Sequence, residues 1–264
     1  MHLVDTHCHL THEKFKDDID AVITRAKKAG FKALVCSGTN PPTNREILEL
    51  AKKYPIIRPS MGIYPIDALG LAPDEAGLSK HRGKIDIDDE FKFFNKHKEE
   101  IVSIGEVGMD YHWSKDPHEH IQQKKNFEKI IDLTEKIKKP IVVHTRRAEE
   151  DCVTMLESSK LKHVILHSFE ARKSLLKRAI DKGFYFSVPT VVVRAQQFQT
   201  LVELAPLTQI FTETDAPWLS PFKDQRNEPS FIVESIKKIA EIKKISETDV
   251  AAQVWKNYQD VFEK

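Results

Sequence analysis

Residues 3–37 have the sequence LVDTHCHLTHEKFKDDIDAVITRAKKAGFKALVCS, which contains the unit that the rest of the chain repeats. An apolar run at Leu3–His7 is followed by a charged amphipathic segment, Asp17–Ala29, and Gly30 stands where a helix C-cap belongs. A second apolar run follows at Ala33–Ser37. Apolar positions at helical spacing indicate a helix, and short β-branched runs indicate strands. The stretch therefore predicts a strand, a helix and a second strand in succession.

The same unit recurs along the whole chain. Later amphipathic segments are predicted as helices at His120–Lys138, Ala171–Asp181, Phe231–Ile242 and Asp249–Glu263. Eight strand–helix repeats predict the α/β class and a parallel sheet closed into a (β/α)8 TIM barrel, as a single domain over residues 1–264. No G-x-G-x-x-G follows the first strand, which argues against an open dinucleotide-binding sheet. The eight strand-like runs are Leu3–His7, Ala33–Ser37, Ile57–Ile63, Ile101–Glu106, Ile141–His144, Val164–His167, Phe184–Val188 and Ile210–Thr214.

The composition excludes several classes of protein. The chain has 264 residues, of which 40% are hydrophobic, so it has enough apolar surface for a full core and is not a disordered chain. Its 41 Lys and Arg residues and 40 Asp and Glu residues give a net charge of +1, so local groups would have to hold a nucleic acid. The sequence lacks a long apolar run and a secretory signal, and its three cysteines have unrelated spacings. These features predict a cytoplasmic protein without membrane contact.

Polar side chains fall at the carboxyl ends of the predicted strands. Asp5, His7 and His9 alternate along the first strand, and the two-residue period of a strand places all three on one face. A barrel brings the carboxyl ends of its strands into one ring, where active sites of this fold lie. The remaining candidates end four later strands and are Glu106, His144, His167 and Asp215.

Each of these residues alone has an ordinary structural explanation. A histidine at a strand end is often a core residue with a hydrogen-bond partner, and a buried glutamate is often an ion-pair partner. Here, however, four histidines and two carboxylates beyond Asp5 all fall at strand ends. Charged groups gathered at the mouth of an apolar core are costly unless a metal neutralises them. The combination therefore predicts a metal centre.

Six sequence blocks contain these candidates and their neighbours: Asp5-Thr-His-Cys-His-Leu10, Gly105-Glu-Val-Gly-Met-Asp-Tyr111, Pro140-Ile-Val-Val-His-Thr-Arg146, Leu166-His-Ser-Phe169, Glu213-Thr-Asp-Ala-Pro217 and Arg226-Asn-Glu-Pro229. Together they resemble the TatD family of metal-dependent deoxyribonucleases, within the amidohydrolase-like barrel superfamily. The blocks occur in the family's order between residues 5 and 229, so the resemblance covers nearly the whole chain. It implies a TIM barrel, dependence on divalent metal, and 3′-to-5′ exonuclease activity on DNA.

The resemblance also implies two divalent cations, which we expect to be Mg, Mn or Zn. A site built from four imidazoles and two carboxylates favours ions such as Zn or Mn over an all-oxygen magnesium site. The matching positions are His7, His9 and Asp215 for one cation, His144 and His167 for the other, and Glu106 as the carboxylate that bridges them.

Three further residues are expected to act around the cations. Asp5 matches a motif position that supports the His-x-His geometry, and Arg146 matches an arginine that is suited to a phosphate contact. The family usually has Gly-Ile-His-Pro after the third strand, whereas this chain has Gly62-Ile-Tyr-Pro65. Tyr64 is able to donate a hydrogen bond to a phosphate but cannot titrate near neutral pH as histidine does. The longest irregular segment, Pro65–Asp88, follows it and is predicted as a long loop.

The expected chemistry is phosphodiester hydrolysis. Two cations ~3.5–4 Å apart can bridge a water, lower its pKa towards 7 and so supply a hydroxide nucleophile. The same cations stabilise the charge that develops on the phosphate. Glu106 and Asp215 are the predicted catalytic residues, and Asp215 is expected to accept the proton of the nucleophile. The expected substrate is DNA, single-stranded or at 3′ ends, with no obligate protein partner.

Three other functions remain open at this point. One is a two-metal hydrolase of a non-nucleic substrate, such as a lactone, an amide or a small phosphoester. Those relatives typically bridge their metals with a modified lysine on the fourth strand, whereas this strand ends in Glu106. A second is a non-catalytic metal-binding or nucleic-acid-binding protein, since fold alone does not establish an activity. A third is a proofreading hydrolase that acts on aminoacyl esters of RNA.

Overall fold

A computed structural model describes residues 1–71, 81 and 83–263. Each strand of its eight-stranded sheet pairs in parallel with the next strand along the chain. This order confirms the predicted (β/α)8 barrel. The strands are β1 (Leu3–Cys8), β2 (Phe31–Ser37), β3 (Ile57–Met61), β4 (Ser103–Gly108), β5 (Ile141–His144), β6 (Val164–His167), β7 (Tyr185–Pro189) and β8 (Ile210–Glu213).

The first and last strands are joined by hydrogen bonds that close the barrel. The Thr6 hydroxyl donates to the carbonyl oxygen of Thr212 at 3.1 Å, and the Thr212 hydroxyl donates to the carbonyl oxygen of Val4 at 2.8 Å. Beyond the end of β8, the backbone N–H of Asp215 donates to the carbonyl oxygen of His7 at 2.9 Å. The chain that carries Asp215 is therefore held against the end of β1.

Helices follow the strands and cover the outside of the barrel. The helix α1 ends at Gly30, whose φ of 99° is in the left-handed region that glycine adopts without strain. The helices of the described residues are α1 (Ile19–Ala29), α2 (Pro41–Lys53), α3 (Pro65–Leu69), α4 (Ile87–Lys96), α5 (Pro117–Ile137), α6 (Glu149–Glu157), α7 (Lys173–Asp181), α8 (Gln196–Leu204), α9 (Ile232–Lys243) and α10 (Glu247–Phe262).

Several helices begin at other residues than the apolar pattern predicts, because capping residues determine where they start. The helix α5 begins at Pro117, three residues before the predicted start, because the Asp116 side chain accepts from the backbone N–H of His118 and proline fits the first helical position. The helix α10 begins at Glu247 because Ser246 caps it. It buries Val250, Val254, Tyr258 and Phe262, which pack against the barrel.

The prediction of an irregular segment at Pro65–Asp88 was wrong at both ends. Pro65–Leu69 forms the short helix α3, with proline at its first position and Gly70 ending it at a φ of 72°. The other end belongs to α4, where the Asp86 side chain accepts from the backbone N–H of Asp89. Residues 72–80 and 82 of this segment lie outside the described residues.

The strands supply a continuous core. Every residue of β1 and β4 is buried, and strand residues such as Ile104, Val142 and Phe186 are inaccessible to solvent. Burying one such side chain stabilises the fold by about 1.5–3 kcal/mol. None of the helices in the described part of the chain is long and apolar enough to cross a membrane.

Gly62 allows β3 and β4 to approach closely beside the predicted ligand Glu106. A Cβ atom at residue 62 would lie 2.2 Å from the backbone nitrogen and 2.3 Å from the carbonyl oxygen of Glu106. No real side chain tolerates such contacts with backbone atoms. Glycine at this position therefore lets β4 carry Glu106 into the mouth of the barrel.

Candidate metal centre

The structure brings all six predicted metal ligands together at the carboxyl ends of the strands. Four are at least nine-tenths buried, and Asp215 is the most accessible, with 16% of its side chain exposed. Asp215 has a φ of 55°, in the left-handed region that Asp tolerates better than most residues. The six lie in or directly after five strands: His7 and His9 at β1, Glu106 in β4, His144 in β5, His167 in β6 and Asp215 after β8.

The first group of ligand atoms contains Nε2 of His7, Nε2 of His9, Oε2 of Glu106 and Oδ1 of Asp215. The two Nε2 atoms are 3.0 Å apart. Oε2 of Glu106 lies 3.6 Å from Nε2 of His7 and 3.4 Å from Nε2 of His9. Oδ1 of Asp215 lies at the same two distances from these nitrogens. Both carboxylates therefore face the same pair of imidazole nitrogens.

The second group contains Nδ1 of His144, Nε2 of His167 and the other carboxylate oxygen of Glu106. Oε1 of Glu106 lies 2.8 Å from Nδ1 of His144 and 3.0 Å from Nε2 of His167. These two nitrogens are 3.1 Å apart. Glu106 therefore stands between the groups, with one oxygen directed at each.

The distances fit a divalent cation in each group. Ligand atoms that each lie about 2.0–2.2 Å from one tetrahedral cation are about 3.3–3.6 Å from one another. The nitrogen–oxygen distances of the first group, 3.4 and 3.6 Å, fall in this range. The distances between ligand atoms of the second group, 2.8–3.1 Å, are shorter and correspond to adjacent ligands of an octahedral cation, which are about 2.8–3.0 Å apart. The donors are imidazole nitrogens and carboxylate oxygens, which zinc and manganese accept. Three overlapping sets of these residues could each hold a metal ion: His7, His9 and Glu106; Glu106, His144 and His167; and His7, His167 and Asp215.

Oxygen atoms behind the histidines orient three of the four rings. Nδ1 of His9 lies 3.1 Å from the carbonyl oxygen of Ser37, and Nδ1 of His7 lies 3.1 Å from the hydroxyl oxygen of the same residue. Nε2 of His144 lies 2.9 Å from Oδ2 of Asp110. Such partners fix the orientation and tautomer of a metal-binding imidazole. Each ring therefore directs its other nitrogen at the centre.

His167 has a carboxylate behind it at a longer distance. Its Nδ1 lies 3.7 Å from Oε2 of Glu213. Glu213 is fully buried, where it accepts from the hydroxyl groups of Ser168 and Ser187. The carboxylate is thus held in place behind the ring by two serines.

Electrostatics keep the central carboxylates ionised. Burial by itself would raise the pKa of Glu106, but the charge of His167 and the hydrogen bond from His144 lower it well below its usual value. Burial likewise opposes ionisation of Asp215, and the hydrogen bond with His9 lowers its pKa overall. Burial and the nearby His167 lower the pKa of His7, which favours the neutral ring that a metal requires. The centre thus offers charged oxygens and a neutral His7 ring. Despite burial, the nearby carboxylates raise the pKa of the other three histidines, so a cation would displace protons from His9, His144 and His167.

Asp5 holds two chain segments together by hydrogen bonds. Its carboxyl group accepts from the backbone N–H of His7 at 3.2 Å and from that of Thr214 at 3.0 Å. The Thr214 hydroxyl lies 2.5 Å from its other oxygen. Burial raises the pKa of Asp5 to about 8. The residue therefore links the ends of β1 and β8, next to His7 and Asp215.

The two predicted substrate contacts differ in their surroundings. Tyr64 is buried, with 5% of its surface exposed, and its hydroxyl donates to Oδ2 of Asp110 at 2.7 Å. Burial and the charge of Asp110 raise the pKa of the Tyr64 hydroxyl well above its usual value, so it stays protonated. Arg146, in contrast, is exposed just after β5, with its guanidinium 5.7 Å from the ring centroid of Trp113.

Sequence reasoning missed the residues that stand behind the histidines. Asp110 and Glu213 lie inside two of the sequence blocks, and Ser37 ends β2. The sequence contains one indication of these residues, because each carboxylate is close in the chain to a predicted ligand. Asp110 follows Glu106 by four residues, and Glu213 precedes Asp215 by two. The periodicity of one strand, however, does not indicate which side chain of another strand lies behind a ring.

Comparison with known proteins identifies close relatives over the whole chain. A family profile described as TatD related DNase matches residues 4–263. The human protein Deoxyribonuclease TATDN3 is 32% identical over an alignment of 265 positions that covers 99% of this chain and 95% of that one. The Bacillus subtilis protein named uncharacterized metal-dependent hydrolase YabD is 31% identical over 98% of this chain and 98% of its own.

Solved structures have the same fold. The crystal structure of YjjV, a TatD homologue from Escherichia coli K12, superposes with a TM-score of 0.83. The superposition covers 99% of this chain and 98% of that chain at 22% sequence identity. It agrees with the barrel described above.

Proposed function

The chain belongs to the TatD related DNase family and is a metal-dependent hydrolase of ester bonds, and from that premise we propose that it cleaves phosphodiester bonds of DNA with two divalent cations. One observation supports two cations rather than one. The two carboxylate oxygens of Glu106 face separate groups of histidines, Oε2 towards His7 and His9 and Oε1 towards His144 and His167.

The proposed ligands divide in the same way. In this proposal His7, His9 and Asp215 hold one cation, His144 and His167 hold the other, and Glu106 bridges them. The imidazole-rich donor set favours Zn or Mn over Mg. When bound, such cations lower the pKa of water towards 7 and neutralise negative charge on the phosphate.

Asp215 is the proposed acceptor of the proton that the attacking water loses. It is the most exposed of the six residues, and its Oδ1 atom faces the first group. Its pKa is lowered overall, so the side chain is an ionised carboxylate at neutral pH. Asp5 supports this position, because it holds the backbone of Thr214 next to that of His7.

Arg146 and Trp113 are the proposed contacts to the nucleic acid. The Arg146 side chain is exposed beside the mouth and is suited to bind a phosphate. The Trp113 ring is 42% exposed and stands next to it, so a base is able to stack on the indole. The net charge of +1 leaves such local contacts to supply the affinity. The proposed substrate is single-stranded DNA or a DNA 3′ end.

A cytoplasmic location is part of the proposal. Cys8, Cys36 and Cys152 are buried and carry no disulfide, as is usual for proteins in a reducing compartment.

The test is cleavage of 5′-labelled single-stranded DNA by purified protein with Mg²⁺, Mn²⁺ or Zn²⁺. We expect a ladder that shortens from the 3′ end, that EDTA abolishes, and that Glu106→Ala abolishes. Glu99→Ala is the matched control, because Glu99 is an exposed glutamate before β4, at the opposite end of the barrel. Folded, metal-loaded protein that leaves the DNA intact would overturn the proposal. Lactones, amides, small phosphoesters and aminoacyl-RNA esters would then be the substrates to test.

A further inference from the structure

A buried hydrogen-bond chain runs from Tyr64 through Asp110 to His144. The Tyr64 hydroxyl and Nε2 of His144 both lie against Oδ2 of Asp110, at 2.7 and 2.9 Å. We propose that Tyr64 is a positioning residue that acts through Asp110 to hold the His144 ring with Nδ1 directed at the second group. This role rests on the proposed function, in which the second group binds a cation.

Asp110 is held rigidly, so a contact from Tyr64 on one side is able to affect the orientation of His144 on the other. Its Oδ1 atom accepts from the backbone N–H groups of His112 at 2.7 Å and Trp113 at 3.1 Å. With the two donors on Oδ2, the carboxylate accepts four hydrogen bonds, which is about its full capacity. Gln123 fixes the backbone of the same residue, because its side chain bonds both the N–H and the carbonyl oxygen. The carboxylate is fully buried, so no bulk water competes for it.

Tyr64 contributes two contacts to this arrangement. Besides the hydrogen bond, its ring packs edge-on against the His144 ring, with centroids 5.1 Å apart and an interplanar angle of 70°. Loss of the hydroxyl would leave Oδ2 with one donor in a buried environment. The carboxylate would then be less well oriented, and so would the imidazole that depends on it.

This role differs from a direct contact with the substrate. A hydroxyl that is buried and already donates to Asp110 has its only proton engaged. A phosphate would have to displace Asp110 to receive that proton. The contact with Asp110 therefore predicts an effect on metal affinity rather than on DNA affinity.

The first test is metal affinity without DNA. Wild-type protein and Tyr64→Phe are stripped of metal and titrated with Zn²⁺ against a chromophoric chelator. We expect one of the two affinities to fall by about 10–100-fold in Tyr64→Phe, as for loss of other partners behind metal ligands. Tyr54→Phe is the matched control, because Tyr54 is also buried and donates to a carboxylate, Asp20, at 2.7 Å, next to the amino end of β3. It should leave both affinities unchanged.

Asp110→Asn tests the next link in the chain. The backbone N–H groups of His112 and Trp113 donate to Oδ1, so the amide oxygen of the new asparagine would take this position. Its NH2 group would then replace Oδ2 and lie against Nε2 of His144. Nε2 would then have to accept, and the proton would move to Nδ1, the atom that faces the second group. We expect a loss of affinity at least as large as in Tyr64→Phe. Adding Tyr64→Phe to this variant should have little further effect, because the two residues act through one path.

The outcomes separate this role from the proposed function. A protein that binds two cations but cleaves no DNA overturns the nuclease proposal, while the affinity measurements still decide the role of Tyr64. Unchanged metal affinities in Tyr64→Phe, with a raised KM for DNA, would overturn the positioning role and indicate a substrate contact. Additive losses in the double variant, or a wild-type protein that binds a single cation, would also overturn it.

Discussion

The imidazole rings of His7 and His167 stack, with ring centroids 4.1 Å apart and planes inclined by 17°. His7 extends from β1 and faces Oε2 of Glu106, whereas His167 extends from β6 and faces Oε1. The stacked pair also forms one candidate metal-binding set with Asp215. Glu106 connects the two groups of ligand atoms through its carboxylate. The two groups are therefore in direct contact, and we expect a change in one to affect the other.

Replacing the bridging carboxylate should weaken both groups. Glu106→Gln keeps the size of the side chain but removes its charge and turns one oxygen into an NH2 group, which cannot bind a cation. We expect both Zn²⁺ affinities to fall, and the rate of cleavage to fall by more than about 100-fold, which exceeds the loss typical of outer partners. Chelator competition and a cleavage assay measure the two quantities. A variant with one unchanged affinity would show that Glu106 serves a single cation.

Cation binding should stabilise the folded chain. A ligand at 100 times its dissociation constant adds about 2.7 kcal/mol to the free energy of unfolding. For a chain of this size, that corresponds to a rise in Tm of roughly 5–10 °C. Thermal unfolding with EDTA and with excess Zn²⁺ or Mn²⁺ measures the difference. Glu106→Gln should show a smaller rise, and equal Tm values for wild-type protein in both conditions would contradict cation binding.

The ligands themselves were predictable because they depend on local patterns. Alternation along β1 placed His7 and His9 on one face, and the topology of a barrel gathers strand ends from distant parts of the chain. The structure places Glu106, His144, His167 and Asp215 at that end of the barrel, as the sequence predicts.

Residues that act across strands were not predictable in the same way. Asp110 lies behind His144 across the neighbouring strands β4 and β5, and Glu213 lies behind His167 across β7, which separates β6 from β8. One sequence does not specify the relative register of these strands. The hydrogen bond of Tyr64 to Asp110 depends on a buried contact between residues 46 positions apart. Helix α3 was missed because Pro65 and Gly70 mark a loop as readily as the two ends of a short helix.

An ion pair away from the centre predicts a dependence of stability on pH. Arg226 donates two hydrogen bonds of 2.7 Å to Asp18, and this contact lowers the pKa of the Asp18 carboxyl. A lowered pKa stabilises the fold above the unfolded value of 3.8, and the contribution is lost as the pH falls through the folded value. Because the Asp18 side chain is 39% exposed, solvent screening limits the effect to under about 1 kcal/mol.

Arg226→Gln tests this ion pair. We expect the variant to be less stable than wild-type protein at pH 7, with the difference shrinking as the pH is lowered from 4 to 2. Urea unfolding at several pH values measures it. A difference that stays constant over this range would assign the loss to other contacts of Arg226, such as its position over the Phe15 ring.

Salt dependence should reveal the phosphate contact of Arg146. Each phosphate contact on a single strand contributes about 0.7 to the slope of log affinity against log salt. Arg146→Gln should therefore bind DNA more weakly and with a slope reduced by about that amount, while its metal affinities stay unchanged. Lys98→Gln is a suitable control, because Lys98 is an exposed cation that precedes β4 at the opposite end of the barrel. An unchanged slope in Arg146→Gln would exclude the contact.

Trp113 distinguishes a nucleic-acid substrate from a small ester. Stacking of a base on an aromatic side chain is worth about 1–3 kcal/mol by alanine substitution, so Trp113→Ala should raise the KM for single-stranded DNA by roughly 5–150-fold. Trp113→Phe should retain much of the affinity, because it keeps an aromatic face. The ring is 42% exposed, so its removal leaves the core intact and the Tm should hardly change.

An aryl phosphodiester without a base is the control substrate, and its KM should be the same in all three proteins. A Trp113→Ala variant with unchanged KM for DNA would place the bases elsewhere, and equal losses on both substrates would indicate a general change in the mouth of the barrel.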